Sequence, residues 1–367
     1  MADPRVETVA KILVDYSVEV KPNQLVRISG GPAGAPLILA VYQKVLERGA
    51  YPFLHVEPEE AEELFYTYAK DAQLDYIPPF MKDMIEQIDA GIGIWTDVNT
   101  KQLTNADPTK QSRRMVAMRP VRDRLLERAA NKELRWSGTL YPTQAFAQDA
   151  EMSLREFEDF VYKACLVHKP DPISAWKKVS KEQQRVTDWL NKARQIHVVG
   201  PDTDLKLEVT DRKWINCDGH ENFPDGEIFT GPIEKSVNGH IRYTYPACLH
   251  GREVEDVRLH FKDGKVIEAI AAKNEEFLLK MLESDEGAKY VGEFAFGTNS
   301  GIQRFTKNTL FDEKIGGTIH LALGLGYPES GSKNKSAIHW DMVCDLRDGG
   351  EVRVDGTLFL KDGKILI

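Results

Sequence analysis

The sequence contains little cysteine and none of the patterns in which cysteine usually functions. Four cysteines are spread over 367 residues, and no two have the Cys-x-x-Cys spacing of a zinc or redox motif. A disulfide framework is typical of small secreted domains rather than of a chain this long. The scattered thiols therefore indicate a protein of the reducing cytoplasm without a thiolate metal site. The four residues are Cys165, Cys217, Cys248 and Cys344.

A surplus of positive charge, long apolar runs and a secretion signal are also missing. Lys and Arg total 48 against 57 Asp and Glu, giving a net charge of −9, whereas nucleic-acid-binding domains usually carry a basic surplus. The longest apolar runs, PLILAV and IHLALGLG, are far short of the roughly 20 residues that a membrane helix needs. The segment MADPRVETVAK lacks the charged and apolar regions of a signal peptide. We therefore expect a soluble cytoplasmic protein with neither nucleic-acid nor membrane partners.

The first hundred residues alternate between helical and strand patterns. Helical spacing in PRVETVAKILVDYS predicts a helix, and NQLVRIS, YPFLHVEP and AGIGIWTDV predict strands with helices between them. Pro36 suits the first turn of the helix after NQLVRIS, and Gly49 suits its end. Strand, helix and strand at this spacing predict a parallel sheet. Residues 110–194 are predicted to be mostly helical, with a capping box formed by Ser153 and Glu156.

After residue 190 the pattern changes to short strands and tight turns. Asp-Gly pairs in FKDGKVIEAI and FLKDGKILI predict hairpins, and the helix NEEFLLKMLESD lies between them. The predicted fold class is therefore α/β. An open α/β domain with a parallel sheet and a helical extension covers residues 1–190. A strand-rich α+β domain covers residues 191–367.

A glycine-rich turn in ISGGPAGAPLILAV follows a strand and opens a helix, as in dinucleotide-binding folds. However, Gly30, Gly31 and Gly34 do not have the Gly-x-Gly-x-x-Gly spacing. Glu57 lies at a plausible distance for a ribose contact, but an acid after a second strand is common. A tight turn is the favoured interpretation, so no organic cofactor is predicted. The sequence also lacks His-Glu-x-x-His, Gly-x-Ser-x-Gly and P-loop motifs.

Five ionisable side chains lie in stretches too apolar or too rich in glycine for an ordinary polar face. Glu227 is in NFPDGEIFTGP, Glu293 in YVGEFAFGTN and His320 in GGTIHLALGLGY. His339 and Asp341 share one face of SAIHWDMVCDL. Each has a simpler interpretation, because a buried histidine is usually a hydrogen-bonded core residue and a polar strand face usually meets water.

Taken together, the five side chains favour a metal site in the second domain. Burial of unpaired carboxylates costs several kcal/mol per ion, and similar stretches of this domain offer no matching set of Arg and Lys. Mixed imidazole and carboxylate ligands suit zinc, cobalt or manganese better than calcium, with magnesium as a further option. Five or six ligands exceed what one catalytic ion usually takes, so two divalent ions are expected.

The motifs that carry these residues resemble those of the thermophilic aminopeptidases, dimetal exopeptidases of the aminopeptidase T, aminopeptidase S and PepS type. The similar segments are NFPDGEIFTGP, GEFAFGTN, LFDEKIGGTIHLALG and SAIHWDMV, and the resemblance continues through both halves of the chain. The expected catalytic residues are Glu293, Glu313 and Tyr327, with Glu293 or Glu313 as the base. Glu313 is a further acid near the site, and its alternative role is to support a ligand from behind. The metal ligands that the resemblance implies are Glu227, Glu293, His320, Tyr327, His339 and Asp341.

The resemblance also implies an activity and an assembly. The expected reaction is metal-dependent release of N-terminal residues from peptides, by water activated between two ions. The expected assembly is a homodimer whose active sites face an enclosed cavity. Two alternatives are a ring-cleaving dioxygenase of the same fold family, with a single iron, and a metal- or peptide-binding protein without catalysis. A facial triad for one iron leaves Glu227 and Glu293 without a role, which favours the peptidase.

Overall fold

The computed structural model describes residues 3–249 and 251–367 of the chain. Its backbone contacts divide it into two compact units, Met1–Ile173 with Gly219–Pro224, and Ser174–Asp218 with Asp225–Ile367. Residues 174–190, which the sequence-based division assigns to the first domain, belong to the second unit. The reason is that Val186 and Leu190 are part of that unit's hydrophobic core.

The helices are α1 (Pro4–Ile12), α2 (Ala35–Glu47), α3 (Glu60–Tyr68), α4 (Asp71–Asp75), α5 (Pro79–Gln87), α6 (Pro108–Ala130), α7 (Gln144–Asp149), α8 (Leu154–Ala164), α9 (Pro172–Leu190), α10 (Glu275–Leu282) and α11 (Thr309–Asp312). The strands are β1 (Leu25–Gly30), β2 (Tyr51–Val56), β3 (Ala90–Trp95), β4 (Arg135–Leu140), β5 (Gln195–Gly200), β6 (Thr203–Glu208), β7 (Ile215–Cys217), β8 (Asn222–Phe223), β9 (Glu227–Thr230), β10 (Asn238–Arg242), β11 (Ala247–Leu249), β12 (Arg252–Val254), β13 (Arg258–Lys262), β14 (Lys265–Ile270), β15 (Val291–Gly297), β16 (Thr318–Gly324), β17 (His339–Asp345), β18 (Glu351–Val354), β19 (Thr357–Lys361) and β20 (Lys364–Ile365). None of the helices described is long and apolar enough to cross a membrane.

The first unit is built on a five-stranded sheet in the order β2-β1-β3-β4-β8, and all its strand pairs are parallel. The predicted parallel sheet is therefore confirmed. The predicted capping box is present, since Ser153 Oγ accepts from Glu156 N and the Glu156 side chain accepts from Ser153 N. Strand β4 interrupts the stretch that was expected to be mostly helical, because its short run RWSGTL is stabilised by pairing with β3. Helix α1 also ends sooner than predicted and continues as a wider π-type turn, Leu13–Ser17.

The glycine-rich turn after β1 packs tightly against β3. Gly31 N donates to Thr96 Oγ1 at 2.8 Å, and a Cβ atom on either Gly31 or Gly34 would clash with the Thr96 side chain. Glu59 also reaches this region, where it accepts a hydrogen bond from Val98 N. Packing against Thr96 is therefore the physical reason for glycine in this turn, as the tight-turn interpretation expects.

The second unit contains an eight-stranded sheet, β14-β13-β10-β6-β5-β18-β19-β20, and a five-stranded sheet, β17-β16-β15-β9-β7. Both are antiparallel, which confirms the strand-rich second half. The two predicted Asp-Gly hairpins are present as β13–β14 and β19–β20.

The two faces of the five-stranded sheet differ in character. One face contributes apolar side chains such as Phe294, Leu321 and Trp340 to the core. Because side chains alternate along a strand, the residues between them point to the opposite face. There Ala295 pairs with His320, and Ala322 pairs with Asp341. The small alanine side chains leave open the space beside the ionisable groups.

Candidate metal centre

The candidate site lies on the polar face of the five-stranded sheet in the second unit. Four neighbouring strands each contribute to it: β9 carries Glu227, β15 carries Glu293, β16 carries His320, and β17 carries His339 and Asp341. The order β17-β16-β15-β9 places these strands side by side. The five side chains that the sequence singled out are therefore brought together.

His320 lies between two glutamates at one end of the cluster. Its Nε2 atom is 3.3 Å from Glu293 Oε1 and 3.4 Å from Glu227 Oε2. Ligand-type atoms of these three side chains all lie within 4.8 Å of one another. One imidazole and two carboxylates at this separation form a suitable donor set for a divalent cation.

His339 and Asp341 form the other end of the cluster. His339 Nε2 is 3.4 Å from Asp341 Oδ1 and 3.7 Å from Glu293 Oε2. The other ring nitrogen, Nδ1, lies 2.7 Å from the carbonyl oxygen of Leu325. With the proton on Nδ1, this contact orients the ring and leaves the lone pair of Nε2 directed into the cluster, as in metal-ligating histidines.

Glu293 connects the two ends, because its two oxygens face different histidines. Oε1 is directed to His320 and Oε2 to His339. A carboxylate shared in this way is suited to contact two ions at once. The arrangement therefore has two halves with Glu293 between them.

The cluster is buried, and several of its polar atoms have no hydrogen-bond partner among the described residues. Glu227, Glu293 and His320 are only 5%, 4% and 0% exposed. Glu227 Oε2, Glu293 Oε2, His320 Nδ1 and Asp341 Oδ1 are all buried without a hydrogen-bond partner. Unsatisfied buried carboxylate oxygens are costly and uncommon in native proteins. The donor set therefore fits divalent cations, which would satisfy these oxygens.

The protonation states of the cluster reflect its excess of acidic groups. Burial raises the pKa of Glu293, although the hydrogen bond with His320 opposes this. Burial alone would lower the pKa of His320, but the hydrogen bond with Glu293 and the charge of Glu227 raise it to about 9. In the same way, Asp341 overcomes the effect of burial and raises the pKa of His339 to about 10. Burial acts to raise the pKa of Asp341, but the charge of His339 holds it well below its usual range.

Glu313 and Lys314 follow α11 and complete the cluster. Lys314 Nζ lies 2.6 Å from Glu313 Oε2 and 3.2 Å from Glu227 Oε1. Burial raises the pKa of Glu313 well above its usual value, while the charge of Lys314 opposes this effect. Sequence reasoning identified Glu313 but missed Lys314. The available signal was the position of Lys314 inside the segment LFDEKIGGTIHLALG.

Tyr327 lies beside the cluster, and its ring contacts two neighbouring rings. The ring centroid is 5.0 Å from that of His339 and 5.6 Å from that of Phe229. The residue is 40% exposed. Partial burial, together with the nearby carboxylates, raises the pKa of Tyr327 well above its usual value. The hydroxyl group therefore keeps its proton at neutral pH.

A second cluster of potential metal ligands shares Glu227 with the first, and sequence reasoning also missed it. Ligand-type atoms of Cys217, Asp225 and Glu227 lie within 4.8 Å of one another. Burial raises the pKa of the Cys217 thiol well above its usual value, and the charges of Glu227 and Asp225 add to this. This group therefore presents a thiol, rather than a thiolate, next to Glu227.

Comparison with known proteins shows the family of the chain. Residues 2–365 match the family model described as thermophilic metalloprotease (M29). The chain therefore belongs to the thermophilic metalloprotease (M29) family, and it is a metal-dependent hydrolase of peptide bonds. This finding confirms the resemblance seen in the sequence motifs.

The curated relatives include several aminopeptidases. Aminopeptidase 2 of Geobacillus stearothermophilus is 27% identical over 97% of this chain and 94% of its own length. Aminopeptidase PepS of Streptococcus thermophilus is 25% identical over 95% of this chain and 93% of its own length. Aminopeptidase T of Thermus aquaticus is 30% identical, over 61% of this chain and 59% of its own length.

Solved structures share the fold over nearly the whole chain. Wild-type AmpT from Thermus thermophilus superposes with a TM-score of 0.87 at 22% identity, covering 99% of both chains. The 2,5-dihydroxypyridine dioxygenase of Pseudomonas putida KT2440 gives a TM-score of 0.60 at 13% identity, covering 98% of this chain and 96% of the other. The fold class is thus confirmed, and the same fold occurs in two kinds of protein.

Proposed function

We propose that this metalloprotease is an aminopeptidase that releases N-terminal residues from peptides and uses two divalent ions. Zinc, cobalt and manganese suit its mixed ligands best, with magnesium as a further option. The proposed ligands are Glu227, Glu293, His320, Tyr327, His339 and Asp341. We further propose that the protein acts as a homodimer in the cytoplasm.

The position of Glu293 is the observation that carries the two-ion proposal. Its oxygens lie 3.3 Å from His320 Nε2 and 3.7 Å from His339 Nε2. Glu227 accompanies the first histidine and Asp341 the second. A single ion would leave one of these halves with buried acceptors unsatisfied, which favours one ion for each half.

The side chains around the proposed ions have separate roles. When bound, the ions would acidify a water molecule and polarise the scissile carbonyl group. Glu313 would accept a proton from the attacking water and pass it to the leaving amine, with Glu293 as the alternative base. Tyr327, which keeps its proton, would either join the ligands or donate a hydrogen bond to the oxyanion of the substrate. The free α-amino group would be held by a metal ion or an acidic side chain of the cluster, which restricts cleavage to the ends of chains.

Metal analysis combined with a peptidase assay tests this proposal. The purified protein should contain two divalent ions per chain and hydrolyse a leucine anilide, and a chelator should abolish hydrolysis reversibly. His339→Ala should fold but lose activity, because it removes one ligand. His240→Ala is the matched control, because His240 is exposed on β10 of the other sheet.

Three outcomes would contradict the proposal in different ways. Uptake of at most one ion would refute the two-ion site. Tight metal binding without turnover on any dipeptide would favour a binding protein. Oxygen uptake by the iron-loaded protein with a dihydroxypyridine would favour the dioxygenase alternative.

A further inference from the structure

A lysine ammonium group is enclosed among the carboxylates of the candidate metal centre. The Lys314 side chain is only 1% exposed, and its Nζ atom contacts Glu313 Oε2 and Glu227 Oε1. Lysine is almost never fully buried unless it is paired. Two carboxylate oxygens, 2.6 and 3.2 Å from Nζ, provide that pairing. The ammonium group is therefore an integral part of the cluster.

Backbone hydrogen bonds fix the position of the Lys314 main chain. Lys314 N donates to Phe311 O, and Lys314 O accepts from Asn299 N, both at 3.0 Å. Residue 314 is therefore held on both sides between α11 and β16. With this backbone position fixed, the burial of the side chain limits how far the ammonium group can move from the two carboxylates.

A cation at this place opposes the binding of metal ions, because like charges repel strongly in a buried site. A residue whose only role was to increase metal affinity would not be positively charged at this position. Lys314 occupies one oxygen of Glu313, and it occupies Oε1 of Glu227 while Oε2 remains directed to His320. Lys314 therefore determines which oxygens of Glu313 and Glu227 are free to contact an ion.

We propose that Lys314 is a positioning residue that keeps Glu313 out of the metal-ligand set and available as the general base. This inference rests on the proposed aminopeptidase function. Without the ammonium group, the Glu313 carboxylate is free to turn towards a divalent ion. It then becomes an additional ligand and no longer takes the proton of the attacking water.

Lys314→Met in the full-length protein, reloaded with Co²⁺ alone, tests this role. The Co²⁺ dissociation constant should stay equal or fall up to about tenfold, since a carboxylate ligand is gained and a repelling cation is lost. With leucine anilide, kcat should fall at least about 100-fold, the usual contribution of a general base, with little change in KM. The visible Co²⁺ absorption should weaken, as expected for an ion with one more ligand. A Co²⁺ affinity that falls tenfold or more, or an unchanged kcat, would overturn the inference.

A double-mutant cycle keeps the test valid even if Lys314→Met does not fold. Glu313→Gln is compared with Glu313→Gln combined with Lys314→Met, in which both charges of the pair are absent. If Lys314 affects catalysis through Glu313, the two proteins should agree within about twofold in kcat. Co²⁺ should bind at least as tightly to the double variant, because a cation beside the proposed ligand Glu227 is gone. A further loss of tenfold or more in the double variant would show that Lys314 acts by another route.

A matched control removes another largely buried cation of the same unit. The Arg212 side chain is 7% exposed and pairs with Glu234 at 2.8 Å. Arg212→Met should lower the unfolding temperature but leave kcat and Co²⁺ affinity unchanged. If Arg212→Met lowered kcat as much as Lys314→Met, a specific role for Lys314 would be contradicted. A wild-type protein that binds no Co²⁺ or cleaves no peptide would refute the proposed function itself, and the inference with it.

Discussion

Replacement of Glu293 by Gln is expected to change activity and metal-free stability in opposite directions. The substitution keeps the shape of the side chain and removes its charge. Glu293 Oε1 and Oε2 face His320 Nε2 and His339 Nε2 at 3.3 and 3.7 Å. Loss of this shared carboxylate should therefore weaken both proposed ion positions. We expect the metal-loaded variant to retain at most one ion per chain.

The expected magnitudes follow from the burial of this carboxylate. A general acid–base group typically contributes 10²–10⁴ in rate. We expect a loss of the same order for this shared carboxylate, about 1000-fold in kcat, which corresponds to about 4 kcal/mol. Without metal, Glu293 Oε2 is buried with no hydrogen-bond partner among the described residues. The buried charge, which Gln lacks, costs about 1–3 kcal/mol more than a neutral group in the same place. The metal-free variant should therefore unfold about 2–10 °C above the metal-free wild type.

Thermal unfolding at pH 8, with metal and after chelation, measures both effects alongside metal content and leucine anilide hydrolysis. Burial raises the pKa of Glu293. The charged carboxylate therefore destabilises the metal-free wild type at pH 8, and this effect is absent at low pH, where the carboxylate is protonated. Glu268→Gln is the matched control, since Glu268 is exposed on β14 of the other sheet. The reasoning is refuted if metal-free Glu293→Gln is less stable than wild type, or if the loaded variant keeps two ions and full activity.

Three further predictions concern metal removal, pH and a helix end. Chelation should lower the unfolding temperature by about 5–10 °C, because metal at 100 times its dissociation constant contributes about 2.7 kcal/mol; an unchanged temperature would contradict a buried metal centre. The raised pKa values of His320 and His339, about 9 and 10 against 6.5 when unfolded, stabilise the metal-free protein fully below pH 6.5. This stabilisation should disappear as the pH rises through 9 to 10 in unfolding scans of the metal-free protein, and a flat profile would argue against protonated histidines. Ser153→Ala should cost about 1 kcal/mol of unfolding free energy in denaturant titrations, because it removes the cap of α8, whereas Ser300→Ala, in a loop, should cost little.

Much of the fold is determined by local sequence patterns. Asp263 and Gly264 specify the turn between β13 and β14, because this pair readily adopts the backbone of a tight hairpin. Alternation along GGTIHLALGLGY places His320 on the face opposite Leu321, whatever the partner strand. These features depend on neighbours in the chain, so the sequence was sufficient to predict them. The motif resemblance then identified the family.

Strand β4 shows where local patterns fail. Its segment RWSGTL is short and lacks a strong apolar alternation, and it becomes a strand because β3 pairs with it along its whole length. That pairing brings together residues about 45 positions apart in the chain. A local reading of residues 110–194 therefore could not distinguish it from the helices around it.

The arrangement of the candidate site is decided only by the tertiary structure. The sequence determined which acids and histidines lie in apolar strands, because that is a property of each segment. It did not determine that Glu293 faces two histidines, since this depends on the order of β9, β15, β16 and β17 in the sheet. Nor did it reveal Lys314, because lysine is ordinarily exposed and the carboxylate of Glu227 that helps to keep it charged lies 87 residues away. Only the folded sheet brings these charges close enough to balance one another.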